Sequence, residues 1–327
     1  MNFLDKLNLR RFAKVAAVAA VGTSLIFGSN AVANASPQGM AAFREAYMAQ
    51  GADTRIFEQD LTLVAPSFHL DVDSKAQVTS DGVMRMSGEL TWTYTNLKKN
   101  YSTNSTIPFY IEQAGDEDLT LYVQRRGTWS KMMLPGLPAA LAGLWKTTNT
   151  AMLQQNIDAV KDVEILQDTA DMRIMNVTLD GKKVADLLEK NSQSSFAKLS
   201  GYKLTEQKEI FNRWLTAVRA NDITFAWTVN KPKWDTVTAA FDLTEIMRSY
   251  ARYILDESAA GRVVLSNEER DLLDAMGYYS ELHSYSSHIG YNLNSDSINV
   301  PADLMNATEN DNSLDDIFYE MTTVVKK

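Results

Sequence analysis

The chain has 327 residues, no cysteine and a formal net charge of -9 at pH 7. The missing cysteine excludes a disulfide framework, a thiolate metal site and a cysteine nucleophile. The acidic balance argues against a general binder of nucleic acid or anionic membrane, since either needs a basic surface.

The chain starts with Lys6, Arg10, Arg11 and Lys14, followed by 13 mostly apolar residues from Val15 to Phe27 and by Ala33-Asn34-Ala35. A basic start, a short apolar run and an A-x-A site are the layout of a secretory signal peptide over residues 1–35, and the run is too short for a membrane span. Cleavage after Ala35 would leave 292 residues at a charge of -12, because the lost segment carries four basic residues and Asp5. The mature chain is therefore expected to be exported, to the periplasm or the outside, and soluble. No later stretch offers about 18 uninterrupted apolar residues, so it is expected not to span a membrane. Without disulfides it must hold together by burial, for which this length is sufficient.

In the mature chain a short helix is expected from Pro37 to Gln50, with Met40, Phe43 and Met48 as its apolar side. A β-rich block follows. Phe68, Leu70 and Val72 alternate with polar residues, as do Leu90, Trp92 and Tyr94, then Ile107, Phe109 and Ile111, then Leu119, Leu121 and Val123. Period-2 alternation puts one row of side chains on each face of a strand. Asp81-Gly82 and Arg126-Gly127 read as hairpin turns. An antiparallel meander is thus predicted from Ile56 to Leu134, ending at the breaker Pro135-Gly136-Leu137-Pro138.

Leu141, Leu144, Trp145 and Met152 then fall at helical spacing. Strands are predicted at Val163–Gln167 and Met172–Leu179, and a short helix after Asp180-Gly181. An amphipathic helix is predicted from Thr205, as N-cap, to Ala220. A hairpin pairs Ile223–Val229 with Trp234–Thr244 across Asn230-Lys231-Pro232-Lys233. Helical spacing resumes at Ile246, Met247, Tyr250, Tyr253 and Ile254, and Ser266 with Glu269 forms a capping-box pattern. Tyr278 to Asp296 is polar and fits no element. Ser297–Pro301 reads as a closing strand and Ser313–Val325 as a final helix.

Catalytic patterns are weak. His69, His283 and His288 lack metal-ligand spacing. Ser195-Phe196-Ala197-Lys198 and Ser200 with Lys203 match S-x-x-K but lack the partner motifs of a β-lactamase-like site. No Gly-rich phosphate loop occurs. Asp116-Glu117-Asp118 reads as a solvated turn. Glu309, Asp311, Asp315 and Asp316 lack the glycine and terminal glutamate of a calcium loop. No cofactor, metal or catalytic residue is expected, and the chain is read as not an enzyme. The positive feature is large apolar side chains on exported β-structure; the chain has six tryptophans and fourteen methionines, one of them the initiator. Ordinary core accounts for most such residues.

The order of elements carries a resemblance. Leu119–Val123 leads through Gly127 into Thr128-Trp129-Ser130-Lys131; Asp222–Thr244 forms the second hairpin; Ile298-Asn299-Val300-Pro301-Ala302-Asp303 comes late. This resembles the envelope lipoprotein-carrier superfamily of the LolA/LppX type, which includes related bacterial proteins of unassigned function. The resemblance implies an α+β fold: a curved half-open antiparallel β-barrel with helices covering the concave face. It implies a single domain over 36–327, with a helical excursion at 245–295, and no anchoring cysteine. The function so implied is a non-enzymatic binding protein that holds an acyl chain or other apolar ligand between sheet and helices, in envelope lipid or lipoprotein handling. Its apolar wall is expected to be Trp92, Tyr94, Leu121, Phe225 and Trp227 on the sheet, with Leu141 and Trp145 on a helix. The partners expected are a lipid or apolar small molecule, and envelope proteins, with no nucleic acid. The alternatives are a structural or protein-interaction component of the envelope without a ligand cavity, and a hydrolase with an unrecognised site.

Overall fold

The computed structural model describes residues 36–49, 55–65, 68–78, 83–96, 101–113, 119–134, 157–196, 201–291, 298 and 300–309. The predicted signal segment, the Asp81-Gly82 turn, the Leu141–Met152 helix and the Ser313–Val325 helix lie outside them.

The first helix, α1, spans Pro37–Met48. Ser36 caps it, its hydroxyl accepting from the Gly39 N–H at 2.9 Å, which satisfies one of the orphan donors of a first turn. Met40 and Phe43 are buried as expected, whereas Met48 is exposed. The predicted meander is present as β1 (Arg55–Ala65), β2 (Phe68–Val78), β3 (Met84–Asn96), β4 (Tyr101–Gln113), β5 (Leu119–Arg125) and β6 (Thr128–Leu134), each antiparallel to the next. Arg126 and Gly127 both take positive φ, 50° and 79°, the pair of conformations a two-residue type I′ turn requires.

The remaining strands are β7 (Val160–Asp168), β8 (Met172–Leu179), β9 (Ile223–Asn230), β10 (Asp235–Asp242), β11 (Glu281–Tyr291) and β12 (Thr308–Glu309). The other helices among the described residues are α2 (Gly181–Phe196), α3 (Gly201–Arg219), α4 (Thr244–Ala259) and α5 (Asn267–Tyr279). The twelve described strands form one open sheet in the order β12-β6-β5-β4-β3-β2-β1-β11-β10-β9-β8-β7. Only β12 runs parallel to its neighbour. The fold is α+β, and the sheet is not closed into a barrel.

Four sequence expectations are corrected. The helical excursion assigned to 245–295 ends at Tyr279, and the unassigned stretch after Tyr278 contains β11, which lies between β1 and β10 in the interior of the sheet. Helix α3 starts at Gly201, so Thr205 sits inside it rather than at its N-cap. Helix α2 is sixteen residues long, not short. Ile298, Val300 and Pro301 are not in a strand; a 3₁₀ turn at Ala302–Asn306 follows, and the pairing with β6 is made by Thr308 and Glu309. The Ser266 capping box is present as read, with both reciprocal hydrogen bonds.

One continuous apolar core joins the helices to the inner face of the sheet. Helix α1 precedes β1, an interior strand, yet packs on β7 at the edge of the sheet. Gly39 makes this approach possible: a Cβ there would lie 2.2 Å from the Val163 carbonyl oxygen. Arg173 on β8 fastens the same helix. Its guanidinium donates to the Ala42 carbonyl and to Glu45, both at 2.9 Å, and to Asp168 at 3.0 Å. Helices α3 and α4 meet through Trp214 and Tyr250, with ring centroids 6.0 Å apart.

A second, smaller cluster lies on the outer face of β4–β6. Ile298 and Leu304 cover Tyr110 and Trp129 there. Burial, reinforced by the nearby Glu112 carboxylate, pushes the Tyr110 hydroxyl up to about 12.

Candidate functional site

Four of the seven expected wall residues share one face. Trp92 on β3, Leu121 on β5, and Phe225 and Trp227 on β9 all point to the inner side, and all are buried in the common core. Each belongs to the apolar row of its strand, so the row chosen from the alternation is the inward one in every case. Tyr94 is two residues beyond Trp92 on β3, opposite Phe68 and Thr103, which places it in the same row. Leu141 and Trp145 lie outside the described residues.

The inner face is not uniform. Strand registers define one lateral ladder that crosses the whole sheet. It enters at Ile165 and Met175, passes Trp227, and leaves through Phe109 and Val123. Between Trp227 and Phe109 the positions are Ala239, Ser286, Gln59, Ser74 and Gly88. Along this one ladder the middle positions are therefore small or polar, with aromatic rings on both sides, whereas the neighbouring ladders carry Leu61 opposite Val72 and Leu63 opposite Leu70 there. Phe225 stacks on Phe241 of β10 at 4.6 Å, and Trp227 meets Phe43 of α1 at 5.4 Å. Gly88 brings β3 close to β2: a Cβ on it would lie 2.1 Å from the Asp73 carbonyl oxygen. Glycine inside a strand marks such close backbone approach.

Sequence reading missed the contribution of β11. Leu282, Ser284 and Ser286 are its buried row, while Glu281, His283 and Tyr285 are exposed. The period is that of a half-buried strand, but two of the three inward residues are serines. A polarity pattern thus carries no alternation, and only side-chain size hints at it.

On this inner face Trp92 Nε1 and Ser286 Oγ are buried polar atoms without a hydrogen-bond partner among the described residues. Trp227 differs, since its Nε1–H donates to Thr236 Oγ1 at 3.0 Å.

The outer face has the opposite character. Asp60, Asp73 and Glu89 stand directly opposite one another on β1, β2 and β3. Burial, together with the carboxylates of Asp73 and Glu58, raises the Asp60 carboxyl above its ordinary value. His69 lies 3.0 Å from Asp71, and His283 lies 3.6 Å from Asp242 and 3.8 Å from Glu281. A pocket of about 250 Å³ opens here, lined by Asp60, Thr62, Asp242, His283 and Tyr285 among others. Among the described residues no group of three or more His, Cys, Asp or Glu is arranged to hold a metal ion. No helix there is long and apolar enough to cross a membrane. Of the acids near the C-terminus, Glu309 is described, and it pairs with Lys131 at 3.4 Å.

No protein-family model and no curated protein sequence matches the chain. Among solved structures the fold is similar to the crystal structure of LprF from Mycobacterium bovis. The two share 9% sequence identity, with 80% of this chain and 96% of that chain covered, at a TM-score of 0.38.

Proposed function

We propose that the chain is an exported, non-enzymatic binding protein that holds an acyl chain or another apolar ligand against the inner face of its sheet, in envelope lipid or lipoprotein handling. One observation carries this reading: an apolar inner face runs across an open sheet from Val163 on β7 to Met132 on β6. Such a face removes hydrocarbon from water, at about 0.8 kcal/mol for each CH₂ buried, and needs no catalytic group to do so. The export layout of residues 1–35 and the resemblance of Leu119–Lys131 and Asp222–Thr244 to the lipoprotein-carrier superfamily support the same reading.

Native mass spectrometry of protein purified without detergent tests it. The expected result is co-purified lipid, and uptake of a fluorescent fatty acid after that lipid is removed. A bare mass with no uptake would refute it. A structural or interaction component of the envelope would then be the better reading, supported by the acidic row Asp60, Asp73 and Glu89 on the outer face. Turnover of ester, glycoside or peptide substrates above background would overturn both.

A further inference from the structure

Two tryptophans on the inner face differ in one respect. Trp92 and Trp227 are equally buried, at 3% exposure each. The fold supplies Trp227 with an acceptor, the hydroxyl of Thr236, which is itself buried. Among the described residues it supplies Trp92 with none. An indole N–H is a donor only, and buried ones usually have a partner, because a donor stripped of water and left unpaired costs free energy.

The surroundings narrow what completes it. In register with Trp92 are Leu70 on β2 and Ser105 on β4, and Leu90 precedes it in the same row. A trapped water needs two to four polar partners. Among the described side chains in register with Trp92 or preceding it in the row, one is polar, Ser105, beside two leucines. A single acceptor atom on an otherwise apolar molecule fits these surroundings better.

We propose that the ligand of the inner face carries an oxygen acceptor, the carbonyl of an ester or carboxyl group, and that the Trp92 indole N–H receives it. This rests on the apolar-ligand reading and sharpens it: Trp92 makes the site selective for fatty esters and acids over plain hydrocarbons. A site with a buried donor rejects an analogue that lacks the matching acceptor, because the donor then stays unpaired.

The test uses two probes of equal chain length, radiolabelled methyl palmitate and hexadecane, with the purified full-length mature protein freed of lipid. Trp92→Phe keeps the aromatic ring and removes the N–H. The expected result is a loss in affinity for methyl palmitate that exceeds any loss for hexadecane by roughly 5–30-fold, the range of one hydrogen bond. In protein labelled with ¹⁵N at the indole nitrogens, the Trp92 resonance is expected to move on adding methyl palmitate and to stay in place with hexadecane. Equal weakening of both probes by Trp92→Phe, or no weakening of either, would overturn the proposal. So would an unmoved Trp92 resonance in wild-type protein that has bound methyl palmitate, a measurement that holds even where the variant does not fold. If wild-type protein binds neither probe, the apolar-ligand reading itself falls.

Discussion

Strands β9 and β11 flank β10 on its two sides, and both alternate buried with open positions. Their inward rows are unlike. Strand β9 turns Ile223, Phe225, Trp227 and Val229 to the core, and β11 turns Leu282, Ser284 and Ser286. What holds each in place differs accordingly. Strand β9 contributes apolar area and ring contacts. Strand β11 is held by backbone pairing with β1 and β10, and by its junction with α4, where the Leu282 N–H donates to Thr244 Oγ1 at 3.1 Å and its carbonyl accepts from the Leu243 N–H. The comparison shows that alternating burial does not require alternating hydrophobicity when a strand has a partner on both edges.

The sharpest way to break this comparison lies on the shared ladder. Trp227→Ala removes a buried ring from Phe43 and the hydrogen bond to Thr236, and it is expected to cost about 3–5 kcal/mol. Ser286→Ala removes a buried hydroxyl that makes no hydrogen bond, and it is expected to be neutral within about 0.5 kcal/mol or stabilising. Urea unfolding of both measures the contrast. Equal costs would mean that the middle of the inner face is as tightly packed as its flanks.

Gly88→Ala probes the same ladder three strands beyond β11. Its Cβ would strike the Asp73 backbone, which cannot swing aside as a flexible side chain would. The expected cost is about 1–3 kcal/mol, read from the urea midpoint at unchanged m-value.

Glu257 on α4 carries the comparison to the helices. It accepts from Arg262 at 2.7 Å and Arg213 at 3.3 Å, tying α3 to α4 and to the loop that follows. The hydrogen bond from Arg262 is the largest influence on it; burial opposes, but the carboxyl stays below its ordinary 4.5. Glu257→Gln should therefore cost about 1.5–3 kcal/mol at neutral pH, as expected for hydrogen bonds to a charged group. A depressed carboxyl stabilises the fold above its unfolded pKa and loses that contribution as pH falls through the folded one. The gap between wild type and variant should close as pH drops below about 4.5.

Asp60 on the outer face runs the other way and gives the smallest effect. Its carboxyl is raised by burial and by Asp73 and Glu58, so its ionised form is disfavoured in the fold. Asp60→Asn should gain a few tenths of a kcal/mol at pH 7, on the order expected for relieving an exposed cross-strand repulsion. That gain should vanish in acid, where the wild-type carboxyl is protonated. Thermal unfolding at pH 7 and pH 3 reads both halves.

The meander was legible because its inward residues are apolar and its outward ones polar, as at Leu90, Trp92 and Leu121. The inward placement of Trp92, Leu121, Phe225 and Trp227 was legible for the same reason, since a large apolar side chain in an alternating strand faces a core. The Ser266 capping box was legible because it is a local bond pattern. The rest depends on distant partners. Ser284 and Ser286 become inner-face residues only because β1 and β10 pair on either side of them. Helix α3 begins at Gly201, four residues before the polar residue chosen as its cap, and no local signal distinguished the two. Tyr110 and Trp129 face outward, and their burial depends on Ile298 and Leu304, which lie far along the chain.

By itself, then, the sequence determined the chemistry and the local periods: an acidic, cysteine-free chain, a signal-like start, the alternating strands of a meander and a second hairpin. These follow from side-chain types and their spacing over a few residues. The tertiary structure alone decided the place of β11, the docking of α1 at the edge of the sheet, and the difference between Trp92 and Trp227. The first two are matters of long-range pairing, which no local period records. The last turns on whether an acceptor stands beside an indole N–H, and that acceptor, Thr236, comes from the neighbouring strand.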